Sequence, residues 1–455
     1  MHTKRVDGQT AAVKERRAIW GWAMYDWANS AFATTVMAGF FPVFFKQHWS
    51  IGVDANLSTA RLGLGNTVAS LVVALMAPVL GAIADQTGQR KRMLIGFTYL
   101  GVLMTACLAL IPAGQWALAL FAFVAGSIGF AGALVFYDSL LPQVAPAQRL
   151  DQVSSLGYAL GYLGGGLLFA LNVLMVARPQ WFGLADKAMA VRFSFASVAL
   201  WWGLFSLLTF LWTPPDPVGA RPPLGRQISA GWRQLIMTFK KIRQLKVAFL
   251  FLMAYWCYID GVDTIIKMAV DFGMSLGFNA TDLMLALLMV QFIGFPAALL
   301  FGHLSQYWGV RRAIFLSLCV YIGITIWGAN MNHVKEFYIL AAVIGLVQGG
   351  IQALSRSYYA RFIPLEQSSE FYGFYNMLGK FAAIIGPALM GMTGLMVKWA
   401  LLPVNPTSEI AAQVGLTATR ASILSVMSLF VVGAVLLYFV DEAKGVAAAQ
   451  NLDLH

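Results

Sequence analysis

The chain has 455 residues, 59% of them hydrophobic and 11% charged, with a formal net charge of +11. Soluble domains coat themselves with about 25% charged residues, so a string of soluble domains is excluded. The basic excess lies in short loops between apolar runs longer than the ~18 residues of a bilayer-crossing helix, a layout that marks a polytopic membrane protein and speaks against nucleic-acid binding.

Twelve spans are read in chain order, giving an all-α membrane protein. The first six are 20–45, 62–83, 93–111, 116–141, 153–176 and 191–212; the second six are 247–270, 282–301, 313–329, 337–359, 371–397 and 421–440. The expected organisation is a tail (1–18), a six-helix bundle (19–213), a linker (214–246), a second bundle (247–440) and a closing tail (441–455). An even number of spans puts both ends on one side. Lys14, Arg16 and Arg17, Arg90 to Arg92, Arg149, the basic linker, Arg311 and Arg312 all fall on that side, so both termini are expected in the cytoplasm, in the inner cell membrane. Residues 1–18 are basic, but the apolar run behind them is too long for the core of a cleavable leader and carries Asp26.

Charges inside a span cost at least ~2.5 kcal/mol each on insertion scales, and they face a cavity or one another. On span one, Trp22, Asp26 and Asn29 share a helical face, with Tyr25 beside Asp26. At 1.5 Å per residue Asp26 lies ~9 Å from the inner end of that span. It is the candidate for proton coupling, since burial favours the neutral form of a carboxylic acid. Asp138 near the inner end of span four and Arg356 near that of span ten suggest a gate between the halves, or an ion pair that only orients helices. In span five, Gly157, Gly161 and Gly165 recur every four residues, which predicts close helix packing.

The linker opens Pro214-Pro215-Asp216-Pro217, repeats Pro222-Pro223 and closes on Lys240-Lys241-Ile242-Arg243, which reads as an extended stretch followed by a basic surface helix on anionic lipid. Span seven places Asp260, Asp263 and Lys267 at i, i+3 and i+7, where Asp263 and Lys267 either pair within the helix or meet solute. Span ten carries Gln348, Gln352 and Arg356 on one face, and span eleven carries Lys380 near its middle. Gly373 to Gly379-Lys380-Phe381 is not a phosphate-binding loop: the spacing is wrong, and Phe stands where Ser or Thr must hold magnesium. Cys107, Cys257 and Cys319 are scattered, without disulfide or metal-ligand spacing, and neither a metal nor another cofactor is expected.

An internal repeat joins the halves. Gly81-Ala-Ile-Ala-Asp85-Gln-Thr-Gly88-Gln-Arg90-Lys91 follows span two, and Gly302-His-Leu-Ser-Gln306-Tyr-Trp-Gly309-Val-Arg311-Arg312 follows span eight. Two six-helix halves with a binding site between them are the mark of a parallel-repeat transporter. Gly88 suits a tight turn, Asp85 can accept backbone N–H groups across the inner interface, and Arg90 and Lys91 are expected on lipid headgroups.

The first of these loops resembles the signature loop of the major facilitator superfamily, although Gln306 replaces the acid in the second copy. Gly21-Trp-Ala-Met-Tyr25-Asp26-Trp27-Ala-Asn29-Ser30, Phe136-Tyr137-Asp138, Ser155-Leu-Gly157-Tyr-Ala-Leu-Gly161-Tyr162, Gln348-Gly349-Gly350-Ile-Gln352-Ala-Leu-Ser355-Arg356 and Glu370-Phe371-Tyr372-Gly373 together resemble the autophagy-related vacuolar amino acid effluxers and their bacterial relatives. The resemblance implies the two-bundle fold, a cavity lined by spans one, four, seven and ten, and export of small solutes. Tyr25, Asp26, Asn29, Asp260, Asp263, Gln348, Gln352 and Lys380 are then the expected binding residues. Asp138 and Arg356 would form the gate, with the two signature loops as its lock. A monomeric secondary transporter of a small polar or zwitterionic solute is the leading expectation. A flippase of lipid or lipid-linked precursor on the same fold is the alternative, and no extramembrane domain is large enough for an enzyme.

Overall fold

A computed structural model describes residues 2–53, 55–217, 245–275, 279–403 and 407–453. The second proline pair and the basic segment of the linker, Pro222 to Arg243, lie outside the described residues, as does the side chain of Lys267.

The apolar runs form α1 (His2–Ala31), α2 (Ala55–Thr87), α3 (Arg90–Leu108), α4 (Trp116–Val144), α5 (Leu150–Ala177) and α6 (Lys187–Trp212). The second series is α7 (Lys246–Ser275), α8 (Ala280–Trp308), α9 (Val310–Asn330), α10 (Val334–Ala360), α11 (Ser368–Leu401) and α12 (Ser408–Tyr438), followed by the short α13 (Glu442–Asp453). Twelve of these are long and apolar enough to cross a membrane. Within each half the same neighbours recur: α1 packs on α5 and α6 as α7 packs on α11 and α12, and α4 on α2 and α3 as α10 on α8 and α9. The repeat read from two loops therefore extends to the packing.

Helix ends differ from the apolar edges where polar residues favour helix. The first helix starts at His2, well before the apolar edge at residue 20, because Ala12, Lys14, Glu15 and Arg16 continue the helix beyond the hydrophobic stretch. Past Ala31 the helix widens into π turns at Phe32–Phe40 and Phe45–Trp49, where i→i+5 bonds replace i→i+4 ones, as from the Ser50 N–H to the Phe45 carbonyl (2.9 Å). The last span begins at Ser408, thirteen residues before its apolar edge at 421 (421 minus 408), because the Thr407 hydroxyl caps it by accepting from the Ile410 N–H.

The halves meet along two seams, α2 on α11 and α5 on α8. Glycine sets both. A Cβ at Gly81 would overlap the Ser369 carbonyl, one at Gly373 would lie 2.6 Å from the Ala77 carbonyl oxygen, and one at Gly302 would lie 2.6 Å from the Ser155 Cβ. Farther along the second seam, Gly294 and Gly349 form a slot for the ring of Tyr162. Beyond it the widened part of α1 presents Thr34, whose hydroxyl accepts from the Gln291 side chain (3.1 Å). Glu15, Asp85, Arg149, Arg361 and Glu442 gather at one end of the molecule with both ends of the chain, the terminal face.

Candidate functional site

Four helices bring a charge cluster to the interface of the halves. Arg356 of α10 enters the first half between Asp26 of α1 and Asp138 of α4, and none of the three is more than 7% exposed. Its Nη2 lies 3.3 Å from the Asp26 Oδ2 and its Nη1 3.3 Å from the Asp138 Oδ1. Nη1 also donates to Asp26 Oδ2 (3.3 Å), Nε to the Ser154 hydroxyl (2.9 Å) and Nη2 to the Ser154 carbonyl (2.9 Å). All five guanidinium N–H donors therefore have an acceptor, the condition under which a buried arginine is tolerated.

The rings around it complete the enclosure. The guanidinium lies 4.4 Å from the Tyr158 ring centre, 4.8 Å from Trp22 and 5.3 Å from Tyr137. Trp22 stacks on Tyr137 at 4.5 Å and donates its indole N–H to the Tyr137 carbonyl (2.8 Å). Tyr137 gives its hydroxyl proton to Asp26 (2.8 Å), and Asn376 of α11 donates to Asp138 (3.1 Å). Gly157 leaves the room: a Cβ there would lie 2.7 Å from the Asp26 carboxylate. Two carboxylates thus face one guanidinium, leaving a surplus of one negative charge unless one of them holds a proton.

Two further locks close the terminal face. Asp85, at the end of α2, accepts the N–H groups of Ser369 (3.2 Å) and Glu370 (2.8 Å), so a side chain of the first half caps α11 of the second. Arg90 ties the loop down, pairing with Asp85 (2.6 Å) and donating to the Glu366 carbonyl (2.5 Å). Gly88 makes the turn with φ of +65°. The expectation that Arg90 and Lys91 hold headgroups is corrected, since the Lys91 ammonium donates to the Thr213 carbonyl (2.8 Å) at the end of α6. In the second half the exposed Gln306 makes no such cap among the described residues. There Arg361 reaches across to Asp151 at the start of α5 (2.5 Å) and also pairs with Glu442 of α13, while Gly309 repeats the turn with φ of +82° and Arg311 donates to the Val440 carbonyl (2.9 Å).

A cavity of about 260 Å³ lies farther from the terminal face, walled by apolar side chains such as Val290 and Phe337. Its polar points are Thr34, Gln291, Thr325 and Gln348. Of the expected binding residues only Gln348 lines it. Tyr25 instead turns into the first half, with its hydroxyl 2.7 Å from that of Thr98. Asn29 is buried, and its amide N–H groups have no hydrogen-bond partner among the described residues. Asp260 accepts the Gly386 N–H (2.9 Å) and the Thr264 hydroxyl (3.3 Å), beside Pro387 in α11. Asp263, Gln352 and Lys380 are half-buried. Residue patterning missed Ser154, Tyr158, Asn376 and the Asp151–Arg361–Glu442 lock; only Tyr158 sat in a quoted stretch, between Gly157 and Gly161.

The chain is similar to known proteins along most of its length. Residues 58–394 match the family model described as vacuole effluxer Atg22 like. An uncharacterised MFS-type transporter of Bacillus subtilis, YxiO, is 36% identical over 94% of this chain and 96% of its own. Autophagy-related protein 22 of Coccidioides immitis is 23% identical over 84% of this chain and 83% of its own. Among solved structures, the human organic anion transporter MFSD10 superposes with a TM-score of 0.68 at 14% identity, covering 93% of this chain and 99% of that one. The proton:xylose symporter XylE superposes with a TM-score of 0.64 at 15% identity, covering 96% and 98%.

Proposed function

The chain belongs to the Atg22-like family of major facilitator superfamily transporters, and we propose that it exports a small zwitterionic, amino-acid-like solute by alternating access, coupled to protons. The observation that carries this reading is the buried Arg356, which joins the halves at one depth through Asp26 and Asp138. Such a contact holds the terminal face, taken as cytoplasmic, shut and must come apart for that face to open. The solute-accepting state is then the one in which these bonds are broken.

The surplus charge supplies the coupling. Asp26 takes two guanidinium bonds and the Tyr137 hydroxyl, whereas Asp138 takes one guanidinium bond and an amide. The less compensated Asp138, rather than the Asp26 expected from the sequence, is therefore the proton carrier: a proton arriving there balances the cluster and favours closure, and its departure favours opening. The solute rests in the apolar cavity. Its apolar body lies against the wall, and its polar head bonds with Thr34, Gln291, Thr325 and Gln348.

Counterflow of amino acids into proteoliposomes, with and without an imposed pH gradient, tests the reading. Amino-acid exchange that an alkaline interior alters is the expected result. Inversion of fluorescent phospholipid without any solute exchange overturns it in favour of a flippase.

A further inference from the structure

We propose that Tyr162 of α5 is a positioning residue for cargo recognition: reaching across from the first half, it fixes the Gln348 amide in the orientation in which the cavity meets a cargo's polar head. The inference rests on the reading of that cavity as the cargo site.

A side-chain amide has two ends, a carbonyl that accepts and an NH2 that donates. Which end faces a ligand depends on what holds the other. Tyr162 is 8% exposed and stands behind the cavity wall rather than in it. Its side chain is hydrogen-bonded to that of Gln348, which does line the cavity. The phenol thus takes one end of the amide from behind and leaves the other for cargo. The ring has no room to swing away, since a Cβ at Gly349 would lie 2.6 Å from it and one at Gly294 2.9 Å from it. An amide already held in place loses less freedom when cargo arrives, which raises affinity.

The other polar points of the cavity are held differently. Thr325 spends its hydroxyl proton within its own helix, on the carbonyls of Tyr321 (3.0 Å) and Ile322 (2.7 Å). Gln291 and Thr34 bond to each other inside the wall. Of the four, Gln348 alone is held by a side chain from outside the lining, among the described residues. The packing of α5 on α10 makes this contact part of the closed interface. Tyr158, one turn before Tyr162, faces the Arg356 guanidinium at 4.4 Å, and Gln348 lies two turns before Arg356 on α10. When α5 leaves α10 to open the terminal face, both tyrosines leave together, so the amide is held only while the halves meet.

Counterflow of radiolabelled L-methionine, a zwitterion with an apolar side chain, tests this together with the amide resonances of protein labelled at its glutamine side-chain nitrogens. Tyr162→Phe keeps the ring in its slot and removes the hydroxyl. It should raise the half-saturating concentration about three- to tenfold, the range of one neutral hydrogen bond, at unchanged maximal rate. Gln348→Ala should raise it at least as much. The double variant should match Gln348→Ala within about twofold, because a residue that acts through another adds nothing once the other is gone. Tyr338→Phe removes a tyrosine bond to Asp282 (2.9 Å) between the same two helices, α8 and α10, and should change the value less than about twofold. The Gln348 resonance, assigned by its absence in Gln348→Ala, should move in Tyr162→Phe and stay in Tyr338→Phe. An unchanged half-saturating concentration in Tyr162→Phe, effects that add in the double variant, or an unmoved Gln348 resonance each overturn the proposal. Wild-type protein that exchanges neither methionine nor any other amino acid sinks the cargo reading instead, and the resonance then still decides whether Tyr162 holds the amide.

Discussion

At the scale of single residues, Arg356 is the side chain on which closure depends. Replacing it with Ala leaves Asp26 and Asp138 buried without their shared cation, a loss of roughly 3–5 kcal/mol for a broken buried pair. Cysteines placed on the terminal side of the cluster should then react faster with a water-soluble maleimide. Arg356→Lys should restore protection only in part, because an ammonium offers three donors from one point where the guanidinium here uses five. Labelling rates that do not move would mean that the cluster does not hold the face shut. Asp138→Asn keeps the shape and removes the surplus charge. It should leave the protein closed toward the terminal face and flatten the pH dependence of counterflow, and a pH profile parallel to wild type would assign the proton elsewhere.

At the scale of elements, the α2–α11 seam is set by two glycines and a borrowed cap. Gly81→Ala drives a methyl into the Ser369 carbonyl, and overpacking of this kind costs about 1–3 kcal/mol. Asp85→Ala strips the two N–H groups at the start of α11, a cap worth ~0.5–2 kcal/mol. Both variants should shift the molecule toward opening at the terminal face, read as loss of disulfide cross-linking between cysteine pairs across this seam. Gly96→Ala, with nothing within 4 Å of the added methyl, should leave cross-linking unchanged. The glycines of the loop were legible in the sequence because a tight turn and a close approach tolerate little else. The partner of Asp85 was not, since the N–H groups it caps lie 284 and 285 residues away in the chain and no local pattern encodes that meeting.

At the scale of the whole molecule, hydropathy alone yields the number of spans, because a bilayer demands a continuous apolar stretch for each crossing. Helix ends were less legible: α12 begins at a polar cap, Thr407, that a hydropathy window does not register. The same limit applies to the charged residues. Sequence marks Asp26, Asp138, Arg356 and Asp260 alike as expensive inside a span, yet three of them meet at the interface while Asp260 serves the backbone of α11 beside Pro387. Only the packing of the halves separates the two cases. The chain carries no Walker-type phosphate loop, so an ion or solute gradient is the expected energy source. Counterflow in proteoliposomes should run at the same rate with ATP absent or present inside, and a requirement for ATP would overturn this view.

The stacking of Trp22 on Tyr137 beside Arg356 also makes the molecule its own spectrometer. In this state the Trp22 indole is wholly buried, hydrogen-bonded and 4.8 Å from a guanidinium. Parting of the halves would withdraw the cation and admit water to the ring. With 5-fluorotryptophan incorporated throughout, one of the fourteen resonances is assigned by its absence in Trp22→Phe. Its fluorine chemical shift then reads the population of the open state directly, and addition of each candidate cargo becomes a titration.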